Sequence, residues 1–381
     1  MPKKALFTAT VQSHIAQFHE PAIRLLQEHG YEVHVAARDN LSQKSGLTLT
    51  APDRVFDVPF DRSPLSLSNV RAFQRLRAIV RDGDYDLIHC NTPVAGIVTR
   101  LVGRRARAAG ARLVYTAHGF HFYDGAPPLN WLVYYPLERI FSRLTDVLVT
   151  INKQDHARAT RFAPGRVTYV PGVGVDLRRF GESPAPGAAL RREFGLSESD
   201  FVVLSIGELN ENKNHATVLK AAAQCAVPKL HYLICGNGPK RQELADLVGE
   251  LGLDGRVQFL GYRRDIPQVL GVADVFCLPS FREGLPLALM EAMAAGKPVV
   301  CSGIRGSVDL VDQGQGGVVV ERADDVAGFA EALETLASEE VVRRGMAVHN
   351  RERVRGFSTD AVTAGLMEVY GLDDASVGDV A

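Results

Sequence analysis

The sequence is short of several features that often settle a protein's class. It carries five cysteines in 381 residues, Cys90, Cys225, Cys235, Cys277 and Cys301, and no two of them form a C-x-x-C pair. That spacing argues against a disulfide framework and against the common zinc modules. Cys235, Cys277 and Cys301 sit in or at the end of apolar runs and read as small buried hydrophobes in a reducing cytoplasm. An excess of one charge is also missing: 43 Lys and Arg face 44 Asp and Glu, for a net charge of −1. Bulk charge therefore makes no case for nucleic-acid binding. No apolar run reaches the roughly 18–20 residues that a membrane-spanning helix needs. The opening MPKKALFTATV enters a strand pattern directly and lacks the apolar stretch and small-residue cleavage site of a signal peptide. There is no low-complexity region, no internal repeat beyond a shared architecture, and no D-x-D metal signature flanked by strand.

What is present is an alternation of strand and helix patterns. Hydrophobic residues make up 46% and charged residues 23% of a chain long enough for two domains. In the first half the strand candidates are ALFTAT, EVHVAA, LIHC, LVYTA and VLVTI. Helical stretches separate them at Glu20 to His29, Val70 to Asp82, Ala95 to Ala109 and Leu129 to Leu144. A second set follows: VVLSIG, HYLICG, VQFLG, VFCLPS, PVVCS and GVVV, with helices at Ala216 to Gln224 and Lys240 to Leu251. The expected fold class is α/β, with two Rossmann-like β/α/β domains in tandem. The segment Leu177 to Ser199, with Pro184, Pro186 and Gly187, lacks a strand and marks the boundary. The expected domains are residues 1–175 and 176–356, and a last helix follows the break at Phe357-Ser358. The tail SVGDVA is expected to fray.

The most informative stretch is Arg282-Glu283-Gly284-Leu285-Pro286-Leu287-Ala288-Leu289-Met290-Glu291. Proline opens a helix after a strand and Gly296 closes it. Glu283 then lies on the strand-to-helix loop and Glu291 about two turns into the helix. Unpaired N–H groups at a helix start suit a phosphate. A carboxylate further along the same face can accept both hydroxyls of a ribose. The plain alternative is an amphipathic helix whose glutamates face solvent, but the flanking Gly-Leu-Pro and Ala-Ala-Gly-Lys-Pro-Val-Val argue against it.

This segment resembles the E-x7-E motif of retaining glycosyltransferases of the GT-B fold, family 4, also called glycosyl transferases group 1. The resemblance covers nearly the whole chain. It implies an acceptor domain (1–175) and a nucleotide-sugar donor domain (176–356) facing a cleft, with the helix 357–371 returning to the first. It further implies retaining transfer from a nucleoside-diphosphate sugar, most often uridine-linked, to a saccharide or polyprenyl-linked acceptor. Glu283 and Lys213 then act at the reacting centre, Lys213 by offsetting the diphosphate charge. The donor is held by Gly207, Lys213, Gly236, Asn237, Gly238, Tyr262, Glu283, Gly284, Leu285 and Glu291. Relatives often have an arginine where this chain has Glu208, so one phosphate charge is missing. No metal or other cofactor is required in this scheme, because a helix start and a lysine hold the leaving group.

In the first domain His118 follows LVYTA and is followed by Gly119. A histidine just past a strand end can reach a ligand and bond to the donor sugar or to charge developing at its anomeric centre. The family has a histidine in this context. The loop Ser13-His14-Ile15, leading into Gln17-Phe18-His19, resembles the branch that builds bacterial capsules and exopolysaccharides. His14 is placed beside the acceptor or, alternatively, caps the following helix. Asn152 is also assigned to the acceptor side. Arg100, Arg104, Arg105 and Arg107 cluster on a predicted helix and suggest a peripheral contact with an anionic membrane surface. A solvated basic face is the ordinary alternative. Two other functions share this fold: a nucleotide-sugar 2-epimerase and a non-catalytic nucleotide-sugar-binding protein.

Overall fold

Along the first strand, Ala5, Phe7 and Ala9 pack into one hydrophobic cluster and Leu6 into another. Side chains alternate across a strand, so a sheet covered on both faces produces an unbroken apolar run. The computed structural model describes residues 2–43, 46–180 and 187–372. It contains thirteen strands among these residues: β1 (Lys3–Val11), β2 (Tyr31–Arg38), β3 (Arg54–Asp57), β4 (Leu87–Asn91), β5 (Arg112–Ala117), β6 (Val147–Thr150) and β7 (Arg166–Tyr169), then β8 (Phe201–Ile206), β9 (Leu230–Cys235), β10 (Val257–Gly261), β11 (Val275–Leu278), β12 (Val299–Ser302) and β13 (Gly317–Val320).

The chain divides into two compact units. One runs to Val173 and includes the helix Thr359–Tyr370; the other is Gly174–Ser358. The first holds a seven-stranded parallel sheet of order β3-β2-β1-β4-β5-β6-β7. The second holds a six-stranded parallel sheet of order β10-β9-β8-β11-β12-β13. In each, the order reverses beside the first strand of the unit. Ligands of open parallel sheets bind beyond the carboxyl ends of the strands at such a reversal. The positions of interest are therefore the loops after β1, β4 and β5, and after β8 and β11.

The helix Thr359–Tyr370 completes the first unit's core. Val362, Leu366, Val369 and Tyr370 pack with Ala22, Leu26 and Phe7. The Tyr370 hydroxyl lies 2.8 Å from Nδ1 of His89 on β4, and Arg112 donates to the Val369 carbonyl at 3.0 Å.

The structure departs from expectation in two places. The strands β3 and β7 were not anticipated; RVFD and RVTY are short, polar and only partly buried, so they lack the apolar run. The helix expected over Ala95 to Ala109 is two helices, Pro93–Val102 and Arg104–Ala108. The break is at Gly103, where a Cβ would stand 2.8 Å from Leu113 and 3.0 Å from the Thr99 carbonyl. Pro184, Pro186 and the tail SVGDVA lie outside the described residues, and Gly187 opens the helix Gly187–Glu193. No helix of the described residues is long and apolar enough to cross a membrane.

Candidate active site

In the second unit, backbone-to-backbone fitting shapes the loop after β8. Gly236, at φ 144°, sits where a Cβ would run into the Gly207 carbonyl oxygen. Gly238 is pressed against Leu209, whose N–H donates to the Asn237 carbonyl at 3.0 Å. The loop 207–209 packs directly on both glycines, so each position requires glycine whether or not a ligand also approaches it. Gly207 leaves room for the Lys213 side chain, whose Cδ and Cε would lie 3.1 Å from an added Cβ.

Asparagines tie the β8 and β11 loops together. Asn214, held at φ 52°, donates to the carbonyls of Pro279 and Ala323. Asn212 donates to the Arg282 carbonyl at 2.9 Å, and Phe281 N–H returns a bond to the Asn212 carbonyl. The Asn210 side chain accepts from the Lys213 N–H at 3.0 Å. This lacing brings Lys213 Nζ to 2.6 Å from Glu283 Oε1, with both side chains mostly buried. Two residues seventy positions apart thus form one ion pair at the sheet's reversal. Glu208 points to solvent and accepts from Asn210, so it takes no part in that pair.

Behind Glu283 runs the loop after β12. Arg305, buried, donates from Nε to the Glu283 carbonyl at 3.2 Å. Gly306, at φ 80°, packs against the Gly284 carbonyl. Leu285 is buried, which anchors the turn before the helix Leu287–Ala294. No side chain caps that helix, so its first-turn N–H groups suit an anion. Glu291 lies on it, 9% exposed, with Arg179 Nη1 3.8 Å from its carboxylate. Burial pushes the Glu291 carboxyl up to about 7, against a smaller opposing pull from Arg179. Tyr262, beyond β10, is 60% exposed, and its neighbour Arg263 is paired with Asp265.

In the first unit the segments after β1 and β5 bring histidines together beside the end of β4. His118, just beyond β5, donates from Nε2 to Asn91 Oδ1 at 3.0 Å. Asn91 is the fully buried last residue of β4. With that hydrogen on Nε2, Nδ1 of His118 carries a lone pair. His14, on the helix Gln12–Phe18, has its ring centroid 4.8 Å from that of His118. His19 stands 5.2 Å from each of them and 5.9 Å from His89. Burial keeps these rings neutral. It lowers His14 to about 4, helped by Arg62, and holds His19 and His118 well below the usual imidazole value, with smaller contributions from neighbouring rings. His19 was not among the sequence candidates. The spacing His14-x4-His19, from a helix to the turn that ends it, was the available signal.

Two sequence assignments are corrected here. Asn152 is fully buried and caps the helix Lys153–Ala159, accepting from the Asp155 N–H at 2.8 Å and donating to its carboxylate at 2.9 Å. Its side chain is used within the fold and not presented to a ligand. Arg100 is wholly buried: it pairs with Glu138 at 2.9 Å, donates to the Gly96 carbonyl and lies 4.0 Å over the Tyr115 ring. It cannot meet a membrane. Arg107 is paired with Asp146 at 2.7 Å, whereas Arg104 and Arg105 are exposed.

Comparison with known proteins agrees with this layout. The family described as glycosyl transferases group 1 matches residues 188–353, and the glycosyl transferase 4-like domain matches residues 16–172. The chain is 36% identical to the putative glycosyltransferase EpsD of Bacillus subtilis, over 97% of each chain. It is 30% identical to the UDP-Gal:alpha-D-GlcNAc-diphosphoundecaprenol alpha-1,3-galactosyltransferase of Escherichia coli, over 80% of each. The crystal structure of Anabaena Alr3699/HepE in complex with UDP and glucose superposes with a TM-score of 0.77 at 21% identity, covering 97% of this chain and all of that one. Two Rossmann-like units, the laced Lys213–Glu283–Glu291 segment and these matches lead to one conclusion: the chain belongs to the group 1 glycosyltransferases and is a glycosyltransferase enzyme of the GT-B fold.

Proposed function

We propose that this glycosyltransferase moves a sugar, with retention of configuration, from a UDP-sugar to a saccharide or polyprenyl-linked acceptor in cell-surface polysaccharide assembly. The observation that carries the reading is the ion pair of Lys213 with Glu283, set beside the uncapped helix that bears Glu291. A cation and a helix start together offset charge building on a departing diphosphate. Within the second unit, Glu291 takes the ribose hydroxyls and Glu283 takes hydroxyls of the sugar; the Nδ1 lone pair of His118, in the first unit, is a separate candidate for a sugar hydroxyl. The leaving phosphate accepts the acceptor's proton, so no carboxylate acts as nucleophile and no metal is needed for this step. The printed name of the Escherichia coli relative, with its UDP-Gal donor and diphosphoundecaprenol-linked acceptor, supports both substrate classes. The enzyme acts in the cytoplasm and visits the anionic inner leaflet through Arg104 and Arg105, the two exposed arginines of the cluster.

The test is incubation of the purified enzyme with a panel of radiolabelled nucleotide sugars and polyprenyl-diphosphate-linked saccharides. Transfer of label from a UDP-sugar, with the donor's anomeric configuration kept, is the expected result. Epimerised donor without transfer, or binding without turnover, would refute the reading.

A further inference from the structure

We propose that His14, His19 and His118 form a binding site for a divalent transition-metal ion, of the zinc class, in the first unit. Each of the three offers one ring nitrogen, and these nitrogens lie within 4.8 Å of one another. They form a group of three capable ligands among the described residues, and all three are imidazoles, the ligand type that suits zinc, copper and nickel and not magnesium or calcium.

The distances support an ion between the rings. Nε2 of His14 and Nε2 of His19 are 3.4 Å apart. That is long for a hydrogen bond. It is the separation of two ligands that each stand about 2.05 Å from one tetrahedral ion, which is roughly 3.3 Å. The other nitrogen–nitrogen separations are within 4.8 Å and need to close by at most about an ångström and a half to reach the same spacing. A turn of the His14 ring, which is only partly buried, supplies this and leaves the His118–Asn91 bond in place.

The surroundings are those of a ligand set with an outer shell. A metal-bound histidine is fixed by the bond its other nitrogen makes. His118 has such a bond, Nε2–H to Asn91 Oδ1, which leaves Nδ1 for the ion. Asn91 is itself buried at the end of β4, so the ring's orientation is set by the sheet. Beside His19, His89 is already used on both nitrogens, by Tyr370 and Thr116, and is a wall of the site and not a ligand. A cavity lined by His19, His89, Thr116 and His118 adjoins the cluster. It gives a fourth position to water or a substrate oxygen, the open arrangement of three-histidine sites. The charge of Arg62 near His14 opposes a cation there. An ion at this place would occupy the His118 lone pair that sugar transfer is proposed to use, so the two ligands would compete.

The experiment uses the full chain, stripped with chelator and titrated with Co2+ and then Zn2+ in the absence of nucleotide sugar. Cobalt uptake is read from its ligand-field absorption, zinc from displacement of cobalt, and stoichiometry from elemental analysis. One ion per chain with a four-coordinate cobalt spectrum is expected. His14→Gln and His118→Asn should each weaken binding at least about 100-fold, and Asn91→Ala about 10-fold or more through the lost outer bond. His349→Gln, in the other unit, should leave it unchanged. Circular dichroism confirms that each variant is folded. His14→Gln, at the partly exposed ring, keeps the test valid where His118→Asn fails to fold. Absence of saturable one-to-one uptake, or uptake that both cluster variants leave intact, would overturn the proposal. Because no donor is present, that failure would leave the transfer reading standing.

Discussion

Replacing Glu291 by glutamine tests the donor site most sharply, because stability and binding should move in opposite directions. The carboxyl is raised to about 7 chiefly by burial. Relative to an ordinary glutamate, this disfavours the charged form by about 3 kcal/mol. The folded chain therefore holds this proton more tightly than the unfolded chain. Stability falls as pH rises from about 4.5 towards 7 and is level above that. Glu291→Gln is neutral throughout and removes this slope. At pH 8 the variant should melt several degrees higher than the parent, less the small attraction lost to the half-exposed Arg179. Nucleotide binding should move the other way. Losing a charged hydrogen-bond partner costs about 1.5–3 kcal/mol, about tenfold or more in affinity. The parent should also bind nucleoside diphosphate more tightly at pH 8 than at pH 6, as the carboxylate ionises. The variant supplies the baseline for titration of the ligand itself. Calorimetry at both pH values is the assay. Unchanged affinity on substitution would refute the ribose assignment, whatever the melting curves show.

The other predictions concern separate parts of the chain. Lys213→Ala should lower kcat by about 100-fold or more, while Glu208→Ala, on a residue facing solvent, should change it less than a few-fold; similar modest losses in steady-state assays would show that Lys213 does not serve the phosphates. Gly236→Ala should disrupt the second unit, because the new Cβ meets the Gly207 carbonyl at a φ of 144°, and urea denaturation would register it as a loss of several kcal/mol. Arg100→Met should destabilise the first unit by about 3–5 kcal/mol by stranding Glu138, and Arg100→Met with Glu138→Leu should recover most of it; a double variant as unstable as the single one would contradict the pairing. Arg104→Gln with Arg105→Gln should reduce co-sedimentation with anionic vesicles at low salt by about 2 kcal/mol, and equal retention on neutral vesicles would dismiss the membrane contact.

How much of this was legible in the sequence depended on whether the controlling interaction was local. The six strands of the second unit are apolar runs bounded by turn residues, so period and punctuation were enough. The edge strands β3 and β7 are polar and half-buried, and only pairing with β2 and β6 makes them strands. The Glu283 to Glu291 segment was readable because its loop and helix are set by adjacent residues. The Lys213–Glu283 contact was not, because it depends on asparagine bonds between loops some seventy residues apart. Gly236 and Gly238 stood out in the sequence, but their packing against the loop 207–209 did not, since sequence does not show which stretch of backbone a glycine meets. Arg100 misled for the same reason: its partner Glu138 lies thirty-eight positions away on another helix, so it looked like one more member of a basic face. The histidine cluster joins segments that follow β1 and β5, which only the sheet order places on either side of β4.

The return of the helix Thr359–Tyr370 to the first unit has a consequence for synthesis on the ribosome. Chains commonly fold in the order in which they emerge, first unit first. Here the first unit lacks part of its core, and the Tyr370 partner of His89, until the helix Thr359–Tyr370 has been made. The unit Gly174–Ser358 is continuous in sequence and needs nothing that comes later. The second-made unit is thus the first able to close, and the first must wait as an open sheet. A nascent chain stalled before residue 359 would present that sheet uncovered over the place where Val362, Leu366 and Val369 belong. Chaperone demand from the first unit should accordingly persist through synthesis of the second and fall when the helix Thr359–Tyr370 is released.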